Sequence, residues 1–465
     1  MDVITQMLNG LNTFLYSKIL IVLLVFTGVY FTVRTKAVQF RLLPEAIREV
    51  AEPKHDTGGI SSFQALMLST ASRVGTGNIA GVATAIAGGG PGAVFWMWVT
   101  ALVGGASAFI ESTLAQVYKV ADGDQFRGGP AYYIQYGLGK RWLGIVFAVL
   151  LILCFGFGFN GLQSYNATSA FQFYLGSRFE PTHFALLMGL MLAAATAFVI
   201  FGGVHRISFI SSVVVPVMAI GYMALGLWVI VRNITVLPQV FGLIFTSAFD
   251  VQAIMGGFAG SCVAFGVKRG LFSNEAGMGS APNAAATANV SHPAKQGLVQ
   301  MLSVFIDTLL ICSTTALILL VSGTPDNGLN GMPYVQSAVF GQVGFWGSHF
   351  LTFAILAFAF SSIIGNYYYA EANLLFIKDS KALLTVFRLA AVAMVFFSAG
   401  ASFDFVWNLA DVLMGFMALV NIVVILRMGG QALRVLDDYT RQKKAGHDPI
   451  FHAADVDITN TQQWK

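Results

Sequence analysis

Apolar runs separated by short polar or Gly/Pro-rich breaks recur along the whole chain. Each run is close to the roughly 20 residues that an α-helix needs to cross a bilayer. The pattern predicts eleven spans, near residues 15–34, 61–88, 92–119, 142–172, 183–203, 208–232, 250–288, 297–321, 346–377, 383–400 and 405–428. The alternating ten-residue segments of an outer-membrane barrel are absent. The expected fold is therefore an all-α polytopic membrane protein, because a helix satisfies its own backbone polar groups in lipid. Eleven spans divide into one extra helix (15–34) and two groups of five (61–232 and 250–428), all within one transmembrane domain over residues 1–430. Five is odd, so the two groups must run in opposite senses through the membrane, as an inverted repeat. Residues 431–465 read as a cytoplasmic tail.

Composition narrows this further. Hydrophobic residues make up 56% of the chain and charged residues only 10%, with a mean hydropathy of +0.72. Soluble domains carry about 25% charged residues. The run "KILIVLLVFTGVYFTVR" (Lys18 to Arg34) lacks a basic segment before it, having Asp2 instead, and no small-residue cleavage site follows. It reads as a retained helix and not a signal peptide. Most of the 26 Lys and Arg residues fall in alternate loops and the tail if the N-terminus is outside, with Lys18, Arg178 and Arg232 on the outer side. The positive-inside bias then places the C-terminus in the cytoplasm of a prokaryote, in a multi-pass inner-membrane protein. The net charge of +4 reflects those loops, and no nucleic-acid partner is expected. Cys154, Cys262 and Cys312 stand in apolar stretches at no metal-ligand spacing.

Two spans are unlike the others. "RVGTGNIAG" (Arg73 to Gly81) and "RGLFSNEAGMGSAPNAA" (Arg269 to Ala285) put glycines and polar residues at mid-depth, each at the first helix of its group. Each glycine costs a helix roughly 1 kcal/mol relative to alanine. A pair of interrupted segments at corresponding places in two halves points to the binding site of a secondary transporter. The competing reading, that the glycines only let helices pack closely, fits one cluster better than two in register. A broken helix offers amides at one half-helix start and carbonyls at another's end, so it can hold both the carboxylate and the ammonium of an amino acid. Thr76, Gly77 and Asn78 are the candidates on the first break, and Phe272, Ser273, Asn274, Glu275 and Gly277 on the second. Gly75, Gly81, Ala276 and Gly279 keep the space between them small.

Ionisable residues at membrane depth are the next signal, each costing at least about 2.5 kcal/mol if unpaired. Asp307 is placed to balance a cation or the ligand's ammonium, or else to pair with Lys268, Arg269 or Arg73. Glu111 and Glu371 read as structural, holding neighbouring helices together, and Arg73 as one half of an inner gate with an acidic partner. Asn160 and Gln163, in "LILCFGFGFNGLQSYNATSAF", are positioned to donate or accept towards a ligand. The adjacent hydroxyls of Ser361 and Ser362 suit a hard cation, or else bond their own helix carbonyls.

"GGGPGAVFWMW" (Gly88 to Trp98), "FRGGPAYY" (Phe126 to Tyr133) and "GLFSNEAGMGSAPNAAA" (Gly270 to Ala286) resemble the alanine or glycine:cation symporter family over nearly the whole chain. The resemblance implies a LeuT-type fold with a five-plus-five inverted repeat and two unwound helices, and uptake of alanine and glycine coupled to Na⁺. It implies a sodium site lined by Ala71, Val74, Ser361 and Ser362. Asn78 and Ser273 match a second cation site used by some relatives of the fold, with Asp307 beside it. In the family an Asn is expected two residues after Gln163; here Tyr165 stands there and Asn166 follows.

Other chemistries find no support. "GTGNIAG" has the wrong glycine spacing and no βαβ context for a dinucleotide loop, and there is no P-loop, H-E-x-x-H or G-x-S-x-G. The sequons at Asn166 and Asn233 are of a kind that arises by chance. The expectation is a Na⁺-coupled carrier of small neutral amino acids with Na⁺ as coupling ion, no organic cofactor, no enzymatic activity and no oligomer required. A H⁺-coupled carrier, a carrier of another neutral amino acid such as glutamine, and a channel are the alternatives.

Overall fold

With no water to accept hydrogen bonds in the lipid, this chain answers almost entirely with helix. The computed structural model describes residues 2–55, 58–176, 183–202, 204–249, 261–323 and 328–464. Among them, nine helices are long and apolar enough to cross a membrane. They match nine of the expected spans, and the other two, 61–88 and 250–288, are the interrupted ones. Residues 250–260, with which the second of these was expected to begin, lie outside the described residues, as does Arg178.

The first span starts earlier than expected. Helix α1 (Asp2–Phe14) passes through a π-helical turn, Leu15–Leu20, into α2 (Ile21–Arg34), which ends at its basic residue. The amphipathic α3 (Leu43–Val50) follows. The first broken span is α4 (Ser62–Arg73), a 3₁₀ turn at Thr76–Asn78, and α5 (Ala80–Gly89). Ser61 opens α4 with a capping box, its hydroxyl accepting from Gln64 N while the Gln64 side chain accepts from Ser61 N, which satisfies two otherwise orphaned amides.

Helix α6 (Gly92–Val117) is the central post, in contact with α2, α4's partners and both halves of the later chain. Its run Gly104–Gly105–Ala106–Ser107–Ala108 is wholly buried, small residues being what lets membrane helices approach closely. A short hairpin of β1 (Val120–Asp122) and β2 (Gln125–Arg127) leads into α7 (Pro130–Leu138). The next span is α8 (Arg141–Leu151), a π-helical stretch Ile152–Phe159, and α9 (Asn160–Ser169). Then come α10 (His183–Ile200), α11 (Val204–Arg232) and α12 (Leu237–Ala248).

The second broken span begins with α13 (Cys262–Asn274) and resumes at the short α14 (Pro282–Ala285). After it, α15 (Pro293–Phe305) runs through the π-helical Ile306–Cys312 into α16 (Ser313–Ser322). Four helices complete the bundle: α17 (Gly331–Val343), α18 (Phe345–Ile377), α19 (Lys381–Ser398) and α20 (Phe403–Lys444).

The last helix passes the expected end of its span, so residue 430 falls inside continuous helix. The residues after it fold back against the bundle. Phe451 N donates to Ser291 O at 3.0 Å, Ser291 Oγ donates to Pro449 O at 2.8 Å, and Trp464 Nε1 donates to Gln116 O at 2.8 Å. Lys119 Nζ lies 4.2 Å and 4.9 Å from the ring centres of Phe126 and Trp464, a cation–π sandwich.

Beside that tail, Glu49 of α3 is buried and accepts a hydrogen bond from Tyr439 Oη at 2.8 Å. Burial, with the neighbouring Glu52 carboxylate adding to it, pushes the Glu49 carboxyl up to about 8 against the opposing pull of Lys295. A carboxyl raised in the folded state favours folding while it stays protonated. That contribution is fully present below the ordinary carboxylate range and is lost as pH rises through about 8. Thermal unfolding of detergent-purified protein between pH 5 and pH 9 should show Tm falling from pH 5 to about 8 and levelling off above it. Glu49→Gln should flatten the fall; an unchanged slope would remove Glu49 as its source.

Candidate functional site

The first break arises because the amides that would continue α4 are taken by side chains. Gly75 N donates to Asn78 Oδ1 at 3.0 Å, and Thr76 N donates to Gln163 Oε1 at 3.0 Å. The last carbonyls of α4 are thereby released from the helical ladder. Asn166 Nδ2 donates to Thr76 Oγ1 at 3.0 Å, so α9 holds the break with two side chains. On the other side, Thr315 Oγ1 donates to Asn78 O at 2.6 Å.

The second break is forced by backbone geometry. Glu275 adopts φ 55°, and Gly277 and Gly279 have φ 79° and 85°, a region that L-residues other than glycine rarely occupy. Glu111, on α6, holds this loosened segment: its carboxylate accepts from Gly277 N and Gly279 N at 3.1 Å each, and from Asn421 Nδ2 at 2.7 Å. Tyr133 Oη donates to Asn421 Oδ1. Asn274 Oδ1 accepts from Ala276 N at 3.0 Å, closing the local turn.

The two breaks face each other. Asn78 Nδ2 donates to Asp307 Oδ1 at 2.6 Å and to Ser273 Oγ at 3.0 Å, while Ser273 Oγ donates to Asp307 Oδ2 at 2.5 Å. Ser72 Oγ lies 3.1 Å from Glu275 Oε1 and 2.6 Å from Asn366 Oδ1, and Ser280 Oγ donates to Glu275 Oε2 at 2.6 Å. Gly77 lies flat against the Phe272 ring, where an added Cβ would come within 2.7 Å of Cδ1. Phe272 itself sits between Phe159 and Trp407, with centroids 4.7 Å and 5.4 Å away.

Helix α18 packs straight onto the end of α4: a Cβ at Gly365 would fall 2.9 Å from Ser72 N and 3.3 Å from the Ala71 carbonyl carbon. One turn before it, Ser362 Oγ reaches Val74 O at 3.4 Å. Ser361 Oγ instead donates to Phe358 O at 2.9 Å, the ordinary back-bond of a helical serine. Val74 and Ser362 are thus brought together, with Ala71 against Gly365 of the same helix as Ser362, while Ser361 turns back to its own helix.

Above Phe272 lies a cavity of about 560 Å³, reached from the α1 end and lined by Asn9, Phe265, Lys268, Arg269, Trp407 and Asp411. Arg269 Nη2 donates to Asp411 Oδ2 at 2.5 Å, Lys268 Nζ stands 3.8 Å from the same oxygen, and the Arg269 guanidinium lies 4.3 Å from the Trp407 ring centre.

The sequence profile described as "Sodium:alanine symporter family" matches residues 1–453. The chain belongs to that family. The symporter is 50% identical to the probable sodium/glutamine symporter GlnT of Bacillus subtilis over 446 residues, covering 95% of this chain and 92% of that one. It is 49% identical to the amino-acid carrier protein AlsT of the same organism over 449 residues, covering 96% and 95%. Among solved structures, MhsT in complex with L-phenylalanine superposes with a TM-score of 0.55 at 15% identity, covering 82% of this chain and 93% of that one. At that identity the likeness speaks for the fold, a LeuT-type transporter bundle. The symporter is accordingly a multi-pass membrane protein.

Of the two readings left open for Asp307, pairing with a base finds no contact in the symporter, and the expectation for Arg73 needs correction. Asp307 pairs with no basic group: among the described residues no Lys or Arg nitrogen comes within 4.0 Å of it, because Lys268 and Arg269 turn to Asp411 instead. Arg73 forms no inner gate here. Among the described residues its buried guanidinium has no hydrogen-bond partner; it is held within the electrostatic range of Glu111, Glu275 and Asp307 with no ion-pair contact to them. The structural reading of Glu371 matches its place 3.6 Å from Arg388 on α19. Asn160 turns away, its Nδ2 donating weakly back to Gly156 O at 3.5 Å. Sequence reading passed over Asp411, Trp407, Phe159 and Asn366. Asp411 carried the same signal as Asp307, an acid inside an apolar run, and was legible by the same argument.

Proposed function

We propose that this symporter couples Na⁺ entry to the uptake of a small neutral amino acid, alanine or glycine foremost, by alternating access. One observation carries the reading: the two interrupted helices meet through the buried Asn78–Ser273–Asp307 network, with Gly77 pressed on Phe272. In this reading Thr76, Gly77 and Asn78 bind the amino acid from one side, with Phe272, Ser273, Asn274, Glu275 and Gly277 opposite and Gln163 between them. Na⁺ is held by the oxygens of Ala71, Val74, Ser361 and Ser362. Asn78 and Asp307 form a second cation site, which accounts for a buried carboxylate with no Lys or Arg nitrogen within 4.0 Å among the described residues. No organic cofactor and no chemical turnover enter the cycle. The N-terminus is outside, so the 560 Å³ cavity is the outer vestibule and the tail lies in the cytoplasm. Residues 61–232 and 250–428 form the inverted repeat.

A tenfold Na⁺ gradient contributes about 1.4 kcal/mol and 100 mV of potential about 2.3 kcal/mol per charge. Together these support accumulation of roughly several hundredfold per sodium. Glutamine is the second reading, favoured by the likeness to GlnT.

The test is labelled alanine uptake into proteoliposomes, with Na⁺ replaced by choline at fixed pH and with unlabelled amino acids as competitors. Loss of uptake in choline supports Na⁺ coupling, and uptake that follows the pH gradient without Na⁺ would overturn it. Glutamine displacing label better than alanine or glycine would move the substrate assignment. Ser362→Ala should raise the Na⁺ concentration for half-maximal uptake several-fold, more than Ser361→Ala, since only Ser362 turns to Val74. Equal and unchanged values would take both hydroxyls out of the ion site.

A further inference from the structure

Where α2 leaves the apolar zone, the chain makes a left-handed turn at Lys36 and Ala37, with φ 55° and 53°, and doubles back beside the last turns of α20. Between the two lies a cavity of about 530 Å³ whose wall carries Arg34, Lys36, Arg41, Arg441 and Lys444 against one acid, Asp437. Arg441 is paired with Asp438. For the other four cations, no carboxylate among the described residues comes within 4.0 Å. Arg34 Nη1 donates to Tyr30 Oη, and Arg41 Nη2 to Thr35 O, so both guanidinium groups are positioned by neutral partners that leave their charge uncompensated. Five cations from opposite ends of the sequence therefore converge on one concave site with a large excess of positive charge.

The same helix supplies a second feature. Val22, Phe26, Val29 and Val33 are all exposed, and at spacings of four, three and four they form one stripe along α2. The stripe runs down to Arg34, at the mouth of the cavity. A phosphate in the cavity and an acyl chain on the stripe would be continuous with each other.

We infer that this cavity binds the phosphate headgroup of an anionic phospholipid, with the lipid's chains lying along α2. Basic cavities between membrane helices at the water boundary are suited to such headgroups, and each Lys or Arg near an anionic surface contributes about a fivefold factor in affinity. The chemistry recognised is a phosphate anion, and the adjoining apolar stripe is what selects a lipid over free phosphate. The proposal rests on the membrane placement of α2 and not on the transported substrate.

Lipid retention can be read without Na⁺ or amino acid, so its failure is separate from that of the transport reading. The detergent-purified protein is offered equimolar phosphatidylglycerol and phosphatidylcholine and the bound lipid measured by native mass spectrometry. Wild type should retain phosphatidylglycerol preferentially. Lys36→Gln with Arg41→Gln and Lys444→Gln should lower that preference roughly tenfold or more. Lys378→Gln with Lys381→Gln, exposed charges away from the cavity, should leave it unchanged. Where the triple variant does not fold, Lys444→Glu alone, at the exposed end of α20, should lower the preference. Equal retention of the two lipids would overturn the proposal, as would equal losses in the cavity and control variants. Displacement of phosphatidylglycerol by millimolar inorganic phosphate, with the same thermal stabilisation, would assign the cavity to a free anion instead.

Discussion

Asn78→Ala should lower Na⁺-driven uptake by on the order of 10²-fold while the protein still reaches the membrane. The side chain makes three connections that alanine cannot: it accepts from Gly75 N, and it donates to Asp307 Oδ1 and to Ser273 Oγ. The first keeps α4 from continuing as helix, and the other two tie the breaks together. Each buried group left without a partner costs about 1–3 kcal/mol, and Asp307 is buried at membrane depth. The loss falls on the conformation that receives substrate, so the expected signature is a loss of kcat/KM for amino acid together with a weaker dependence on Na⁺. Asp307→Asn keeps the size of the partner and one acceptor, and should show the Na⁺ effect more than the amino-acid effect. The measurement is initial uptake rate in proteoliposomes over a grid of Na⁺ and alanine concentrations. Wild-type kinetics in Asn78→Ala would remove the junction from the transport cycle.

The second large effect concerns the cavity beside Trp407. Asp411→Ala should strand Arg269, which is only 3% exposed, with Lys268 close by. Breaking a buried ion pair by removing one partner costs about 3–5 kcal/mol, whereas replacing both partners by apolar residues of similar size is often neutral. Tm of the purified protein should therefore fall by several degrees in Asp411→Ala and recover in Asp411→Leu with Arg269→Met. Uptake separates structure from gating. Arg269 stacks on Trp407, which packs on Phe272, so under the proposed function the pair would close the cavity over bound substrate. The double variant should be stable and still defective in accumulation, with faster loss of preloaded alanine. Full accumulation in a stable double variant would make the pair a packing device alone.

Both breaks were legible because they violate local rules: no apolar helix needs three glycines, a threonine and an asparagine at mid-depth. Glu111 was legible as structural, yet its role in holding Gly277 and Gly279 was not, since the two partners lie far apart in sequence and meet only when α6 packs beside the second break. Whether Asp307 pairs with a base stayed open in the sequence for the same reason. Sequence put Lys268, Arg269 and Arg73 within plausible reach, and packing turned the first two to Asp411 and left the third without a hydrogen bond among the described residues. Ser361 and Ser362 show the limit at its sharpest. Adjacent hydroxyls on one helix point about 100° apart, and only the approach of α4 decides which one meets Val74.

The sequence by itself determined the solvent, the helical class, the positions of the spans and the two places where helix had to fail. These follow from hydropathy and from backbone propensity, both of which act over a few residues. Tertiary structure alone decided which charges are paired, which side chain holds each loosened amide, and that the residues after Lys444 return to the bundle. It also gathered five cations from the two ends of the chain around one cavity. Such pairings depend on which helix lies beside which, and at these distances an ångström of packing separates a hydrogen bond from an orphaned charge.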